Sequence, residues 1–299
     1  MAVNTKIIKR RIRSISNTRK ITKAMEMISA VKMRRAVANV VATRGYSNLA
    51  WEMLTEIAKR TDVSLHPLLQ KREVKHIAVI LITSNRGLAG GFSSRLLQAT
   101  HEFINSAKGK IGPEIDILLT GRQGKKIYHK FGHKVVAEFD KLDLTTKINE
   151  ILPMAQLAIK DYIERKYDLV MIAYTDFVSP LKQAPKIKQI LPLQDFSDLT
   201  LHSDAKKTEN ANSSLEYKFE PDPKAVLDVL LPRLIEMQIY QTILESDASE
   251  HSSRMIAMRS ASDSANEIIK ELQYSFNKAR QASITQEISE IVGGAAALD

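Results

Sequence analysis

From Met1 to His66 the chain has no proline and one glycine, Gly45, and from Arg233 to Val292 it has neither. Such breaker-free stretches predict two very long helices, each on the order of 80 to 90 Å at about 1.5 Å per residue, too long to stay inside one globular domain. In the C-terminal stretch, apolar and small residues recur at alternating spacings of four and three. They are Leu244, Ala248, His251, Met255, Met258, Ser262, Ala265, Ile269, Leu272, Phe276 and Ala279, a coiled-coil seam. The N-terminal stretch has a weaker apolar series at Ile21, Ala24, Ile28, Val31, Ala38, Ala42 and Leu49, broken by Arg35 and Gly45. A separate stripe at Ile8, Ile12 and Ile15 precedes it, with the polar run Ser16 to Lys20 between. Both stripes need a partner. The economical arrangement pairs the two ends antiparallel, with the middle of the chain folded as a domain whose termini lie close together.

Between residues 74 and 200 the period changes. HIAVILIT (76–83), EIDILLT (114–120), KVVAEF (134–139) and DLVMIAYT (168–175) are short apolar runs. Helical stretches near 93–108, 122–131 and 145–165 separate them. Alternating strand and helix with nearly all-apolar strands predicts a mostly parallel sheet covered on both faces. PKIKQILPL (185–193), flanked by prolines, fits an edge strand. The polar run 197–214 is expected to be a loop, and EPDP (220–223) restarts the chain into the last helix. The fold class is therefore α/β: a Rossmann-like central domain at 74–200 and a long coiled coil of the terminal helices, 1–66 and 224–299, with a loop and lead-in at 201–223.

Composition narrows the chemistry. With 299 residues, 44% of them hydrophobic, a sizeable core is possible, but aromatics are only 6%, so part of the chain is helix with little compact core. The absence of cysteine excludes disulfides, thiolate metal sites and cysteine nucleophiles. No run approaches the roughly 18 apolar residues of a membrane span, and no apolar segment follows the charged start as in a signal peptide. A net charge of +10 implies an acidic partner: nucleic acid, an anionic membrane face or an acidic protein. The charge is concentrated at the start, where a single acid, Glu26, lies among the many bases between Lys6 and Arg35. That run reads as a solvated helix face, as a nucleic-acid arm, or as a basic shaft against an acidic protein. No aromatic residue precedes Tyr46, so stacking on bases has no support there.

The glycine-rich SNRGLAGGF (84–92) follows the first strand, where a phosphate could sit. Its spacing is neither that of a P-loop, since Phe92 stands where a lysine should, nor G-x-G-x-x-G. It reads first as a tight turn and second as an anion site. His129 and His133 stand four apart, but Gly132 interrupts their helix. His251 falls on the coiled-coil seam, where packing is expected. No cofactor, metal or catalytic residue is assigned.

The blocks SNTRKITKAMEMISAVKMRRA (16–36), SNRGLAGGF, EPDPKAVLDVLLPR (220–233), RMIAMRSASD (254–263) and KELQYSFNKARQASITQEISEIVGGAAAL (270–298) resemble the gamma subunit of the F-type ATP synthase. The likeness runs the length of the chain. It implies a central rotor shaft without catalytic residues, present once per complex. Its coiled coil would stand inside an alpha3-beta3 hexamer, and its α/β domain would sit on the membrane ring of c subunits beside epsilon. The expected address is peripheral, on the cytoplasmic face of a bacterial inner membrane, with no nucleic-acid partner. By the same resemblance Lys20, Lys23, Met25 and Arg86 would face the acidic lever of beta. Arg280, Gln281, Thr285 and Glu287 would hydrogen-bond a beta loop, and Glu220 and Asp222 would belong to the foot at the c-ring and epsilon. The family's plastid redox control needs a cysteine pair that this chain lacks.

Overall fold

A computed structural model of the chain describes residues 5–60, 66–128, 132–145, 147–193 and 222–296. The expected loop at 197–214, Glu220 and His129 lie outside that set. The elements in order are α1 (Thr5–Arg60), β1 (His76–Ile82), α2 (Phe92–Ile111), β2 (Glu114–Thr120), α3 (Arg122–Tyr128), β3 (Lys134–Phe139), a 3-10 turn (Ile148–Glu150), α4 (Leu152–Ile163), β4 (Leu169–Ser179), β5 (Lys182–Leu191) and α5 (Pro223–Ala296). They divide into two compact units, one of Met1–Ala30 with Arg254–Asp299 and one of Val31–Ser253.

In the larger unit the five strands are ordered β3-β2-β1-β4-β5. All neighbours are parallel except β4 and β5, which form an antiparallel pair joined by a tight turn. β1 is central and buried from Ile77 to Ile82 on both faces, which is why its sequence is a continuous apolar run rather than an alternation. β3 is an edge strand and alternates between half-buried and exposed residues. At the other edge β5 tolerates Pro185, since an edge strand has one row of backbone groups without a ladder partner. One face of the sheet, through Val79, Leu81, Ile117 and Leu119, packs on Leu96, Leu97 and Ile104 of α2 and Tyr128 of α3. The opposite face, through Ala78, Ile80, Leu118 and Ile172, packs on Ala155 and Ala158 of α4 and on Leu231, Ile235 and Ile239 of α5, with Val40 of α1 in the same cluster. The first half of α5 is thus a core helix of the sheet domain.

α5 opens on a built cap. The Asp222 side chain accepts from the amides of Lys224 and Ala225 at 2.9 and 3.0 Å, and Pro223 occupies the first helical position, where a missing N–H costs nothing.

The two long helices pack along each other. In the smaller unit Arg19 donates to the side-chain oxygen of Asn266; in the larger, Thr43 donates to that of Gln241. The partner's number falls as the number on α1 rises, so the pair is antiparallel, as expected. On α5 the seam is the one expected from the sequence: Leu244, Ala248, His251, Met258, Ser262 and Ala265 are buried, and Met255, Ile269, Leu272, Phe276 and Ala279 are half-buried.

On α1 it is not. The covered positions are Ile8, Thr22, Ser29, Ala36 and Val40, with Ile12, Ile15, Arg19, Glu26, Met33 and Thr43 half-buried between them. They form one unbroken heptad series, and the run Ser16 to Lys20 is not a break in register. The expected series points outward: Ile21 is 61% exposed, Ile28 56% and Val31 42%, and Ala24, Ala38 and Ala42 are exposed as well. The side chain of Leu49 lies outside the described set. The expected stripe Ile8, Ile12 and Ile15 does lie on the covered seam, but between Arg19 and Ser29 α1 presents a polar stripe to α5 and leaves Ile21 and Ile28 outside.

Candidate partner interfaces

The smaller unit carries most of the residues expected to meet a partner. On α1, Lys20 and Lys23 are exposed and Met25 is half-buried; Lys23 is paired with Glu26 at 2.9 Å. The surface around them is mixed, because Ile21, Met27 and Ile28 are each more than half exposed. Three of the described helix turns therefore place apolar and cationic side chains together on one accessible surface.

On α5, Arg280, Gln281, Thr285 and Glu287 are all exposed, as is every described side chain from Arg280 to Gly294. Helical spacing sets Arg280 and Glu287 on a ridge with Ile284 and Ile291, and Gln281 and Thr285 on the adjacent ridge with Ile288 and Val292. The four apolar members are 47 to 72% exposed. Within that stretch the polar groups bond only along their own helix, Ser283 to Glu287 at 3.5 Å and Gln286 to Glu290 at 2.9 Å, among the bonds resolved there. The Arg19–Asn266 contact fixes the pairing level. From Asn266 to Ser283 is then about 25 Å of helix, so the α1 and α5 groups form separate contact zones.

SNRGLAGGF belongs to the larger unit, and its geometry is that of a docked turn. Leu88 and Gly90 take positive φ, 63° and 57°. The Ala89 carbonyl accepts from the Phe92 amide at 3.2 Å and from the Ser253 hydroxyl of α5 at 2.7 Å. Ser84 and Ser93 hydroxyls meet at 2.7 Å across the base of the turn. Gly87 has nothing within 4 Å of where a Cβ would stand, so space does not demand glycine there. A glycine that space does demand is in the next loop: at Gly121, with φ +93°, a Cβ would lie 2.2 Å from the Thr83 carbonyl oxygen.

Arg86 is exposed on this turn, with Asp143 in its electrostatic reach. Burial pushes the Asp143 carboxyl up, but the Lys32 ammonium bonded to it, helped by Arg86 and His251, holds it below the usual carboxylate range. His251 is buried, with its Nε2 2.8 Å from the Asp143 carbonyl, the packed role expected of a seam residue. His133 meets the His101 ring, nitrogen to nitrogen, at 3.0 Å.

Of the foot residues, Asp222 is exposed beyond its cap bonds. His66 Nε2 lies 3.2 Å from Asp228 of α5. Burial lowers the His66 pKa below 6.5, against the opposing pull of Asp228. Sequence reasoning missed a buried ionic group, Lys141 with Asp247 and Glu250; nothing in the spacing of those residues sets them apart from surface charges. Among the described residues no helix is long and apolar enough to cross a membrane.

Comparison with known proteins agrees with this layout. The family model described as ATP synthase matches residues 4–298. The ATP synthase gamma chain of Legionella pneumophila (strain Corby) is 40% identical over 293 residues, covering 98% of this chain and 99% of its own length. That of Chloroflexus aurantiacus (strain J-10-fl) is 42% identical over 296 residues, covering 97% of each. Among solved structures, a chain of the Euglena gracilis mitochondrial ATP synthase (OSCP/F1/c-ring, rotational state 3) aligns with a TM-score of 0.65 at 16% identity. It covers 98% of this chain and 94% of its own. A chain of the Tetrahymena thermophila mitochondrial ATP synthase central stalk and c-ring aligns with a TM-score of 0.59 at 20% identity, over 81% of this chain and 99% of its own. None of these relatives supports the nucleic-acid reading of the basic N-terminus. With a family model spanning nearly every residue and relatives at 40% identity end to end, the chain belongs to the ATP synthase gamma chain family.

Proposed function

We propose that this chain is the central rotor shaft of an F-type ATP synthase, turning inside an alpha3-beta3 hexamer and standing on a c-ring beside epsilon. The observation that carries the reading is the inverted α1 helix. Between Arg19 and Val31 the seam facing α5 contains Arg19, Thr22, Glu26 and Ser29, while Ile21, Ile28 and Val31 face outward. Exposed apolar side chains in a regular series mark a surface that another protein covers. On α5 the stripe Ile284, Ile288, Ile291 and Val292 repeats the feature, and apolar contact without directional bonds suits a surface that must turn past its surroundings.

On this reading the chain does no chemistry. Each orientation of an asymmetric shaft favours different conformations at the beta subunits, and turning it exchanges those preferences. Lys20, Lys23 and Arg86 supply positive charge toward an acidic beta lever, with Met25 between apolar and charged neighbours. Arg280, Gln281, Thr285 and Glu287 offer the hydrogen-bonding groups for a beta loop. Glu220 and Asp222 would belong to the foot that meets the c-ring and epsilon, on the cytoplasmic side of a bacterial inner membrane. The test is reconstitution. The isolated chain is expected to hydrolyse no ATP, and a purified alpha-beta hexamer is expected to gain strong, sustained hydrolysis on its addition. A hexamer indifferent to the chain would overturn the proposal.

A further inference from the structure

A helix that passes turning force to a socket needs contacts that resist rotation about its own axis. Apolar packing is non-directional and resists it weakly, whereas a hydrogen bond loses strength steeply as its angle opens. In the sheet domain, every residue of α5 from Gln238 to Ser253 is buried. A helix buried on all sides is ordinarily apolar. This one carries Glu245, Asp247, Glu250, His251, Ser252 and Ser253.

Glu245 accepts from Gln241 on the same helix; the bonds of the other five go to three separate loops at the C-terminal edge of the sheet. After β1, the Ala89 carbonyl accepts from Ser253 at 2.7 Å. In the β4–β5 turn, the Pro180 carbonyl accepts from Ser252 at 2.5 Å. After β3, the Asp143 carbonyl meets His251 at 2.8 Å, and the Thr145 amide donates to Asp247 at 2.8 Å. Lys141 lies 2.6 Å from Glu250 and 2.8 Å from Asp247, all three side chains no more than 4% exposed. Glu250, His251, Ser252 and Ser253 are successive, about 100° apart around the axis, so their bonds leave the helix on four sides. Burial alone would discharge Lys141, but the two carboxylates more than offset it and hold its pKa above the usual lysine range. A buried ion group of this kind is a poor source of net stability, and its best-attested use is to fix one arrangement against others.

From this geometry we infer that the ring formed by Lys141, Asp247, Glu250 and the loop carbonyls of Ala89, Asp143 and Pro180 is a rotational clamp, where the sheet domain grips α5 and turning force passes between them. The inference rests on the shaft reading. It adds a location: the load is borne by directional bonds at one collar, and the apolar packing of Leu231, Ile235 and Ile239 below it holds the helix in place without keying its rotation.

The experiment uses the assembled complex, with the hexamer immobilised and a probe attached to the sheet domain through Glu73→Cys. The chain has no other cysteine. Two variants are compared with this parent: Lys141→Met with Asp247→Asn and Glu250→Gln, which removes every charge of the ionic group, and Ser252→Ala with Ser253→Ala, which leaves the ionic group intact. Rotation is driven by ATP against a small and then a large viscous load. The clamp predicts that each variant turns like the parent at small load and hydrolyses ATP normally. At large load it is slower by about twofold or more, since each net bond lost is a sizeable share of the directional resistance. If the triple variant does not fold, the serine pair decides alone. Variants that bear the large load as the parent does would overturn the clamp. A parent that does not turn would overturn the shaft reading and the clamp with it.

Discussion

Replacing Ile21 and Ile28 together by serine separates the seam that holds the chain from the surface that meets its partner. Ile21 is 61% and Ile28 is 56% exposed, so little apolar area is lost within the chain. Surface changes of that kind move stability by about 0.5 kcal/mol or less. Fully burying an isoleucine side chain contributes about 1.5–3 kcal/mol. The share still exposed therefore leaves roughly 1–1.7 kcal/mol per residue to be gained in a partner's sleeve, about 2–3.5 kcal/mol for the pair. That is roughly a 30- to 400-fold loss of affinity for the hexamer. Competition of the variant against the parent chain for a limiting amount of hexamer measures it, and a thermal melt of the isolated chain supplies the control. An unchanged affinity beside a markedly lower melting temperature would refute the reasoning, because the two isoleucines would then be holding the chain itself.

Gly121→Ala should strongly impair folding, since its Cβ would meet the Thr83 carbonyl at 2.2 Å in a backbone with φ +93°; a soluble variant that melts like the parent would contradict this. Asp222→Ala removes the cap bonds to Lys224 and Ala225 at about 1 kcal/mol, seen as faster hydrogen exchange of those amides with rotation intact. His66 has its folded pKa lowered from 6.5, chiefly by burial. The stability it contributes is thus complete above 6.5 and lost as pH falls through 6.5 toward the folded value. Denaturant melts of His66→Gln should show a shallower fall in stability between pH 7 and pH 5 than the parent shows, and equal slopes would refute the assignment.

The sheet was legible because its strands are apolar runs bounded by polar turns: β1 and β2 begin and end within a residue of the runs HIAVILIT and EIDILLT. β4 was expected to end at Thr175, yet it runs on to Ser179 and turns directly into β5 at Lys182. Asp176 and the exposed Val178 broke the apolar pattern that marked it. The α5 seam was legible because its apolar residues do face α1. The α1 seam was not, because hydrophobic periodicity reports which face is covered without saying by what. In Ile21, Ile28 and Val31 the pattern described a face turned away from α5. The collar was invisible for the opposite reason. In ESDASEHSSR (245–254) the spacing puts Ala248 and His251 on the seam but assigns nothing to Asp247, Glu250, Ser252 and Ser253, and only the fold brings Lys141 and three loops around them. The spacing of SNRGLAGGF reads as a tight turn rather than a P-loop, but the turn's bond to Ser253 could be seen only once α5 lay against it.

The central claim, that this chain turns while the surrounding hexamer does the chemistry, is tested most directly by fixing the hexamer to a surface and following a probe on the sheet domain under ATP. The account predicts sustained rotation in one direction whose rate follows hydrolysis. A probe that stays fixed, or only fluctuates without direction, while ATP is hydrolysed at full rate would contradict it.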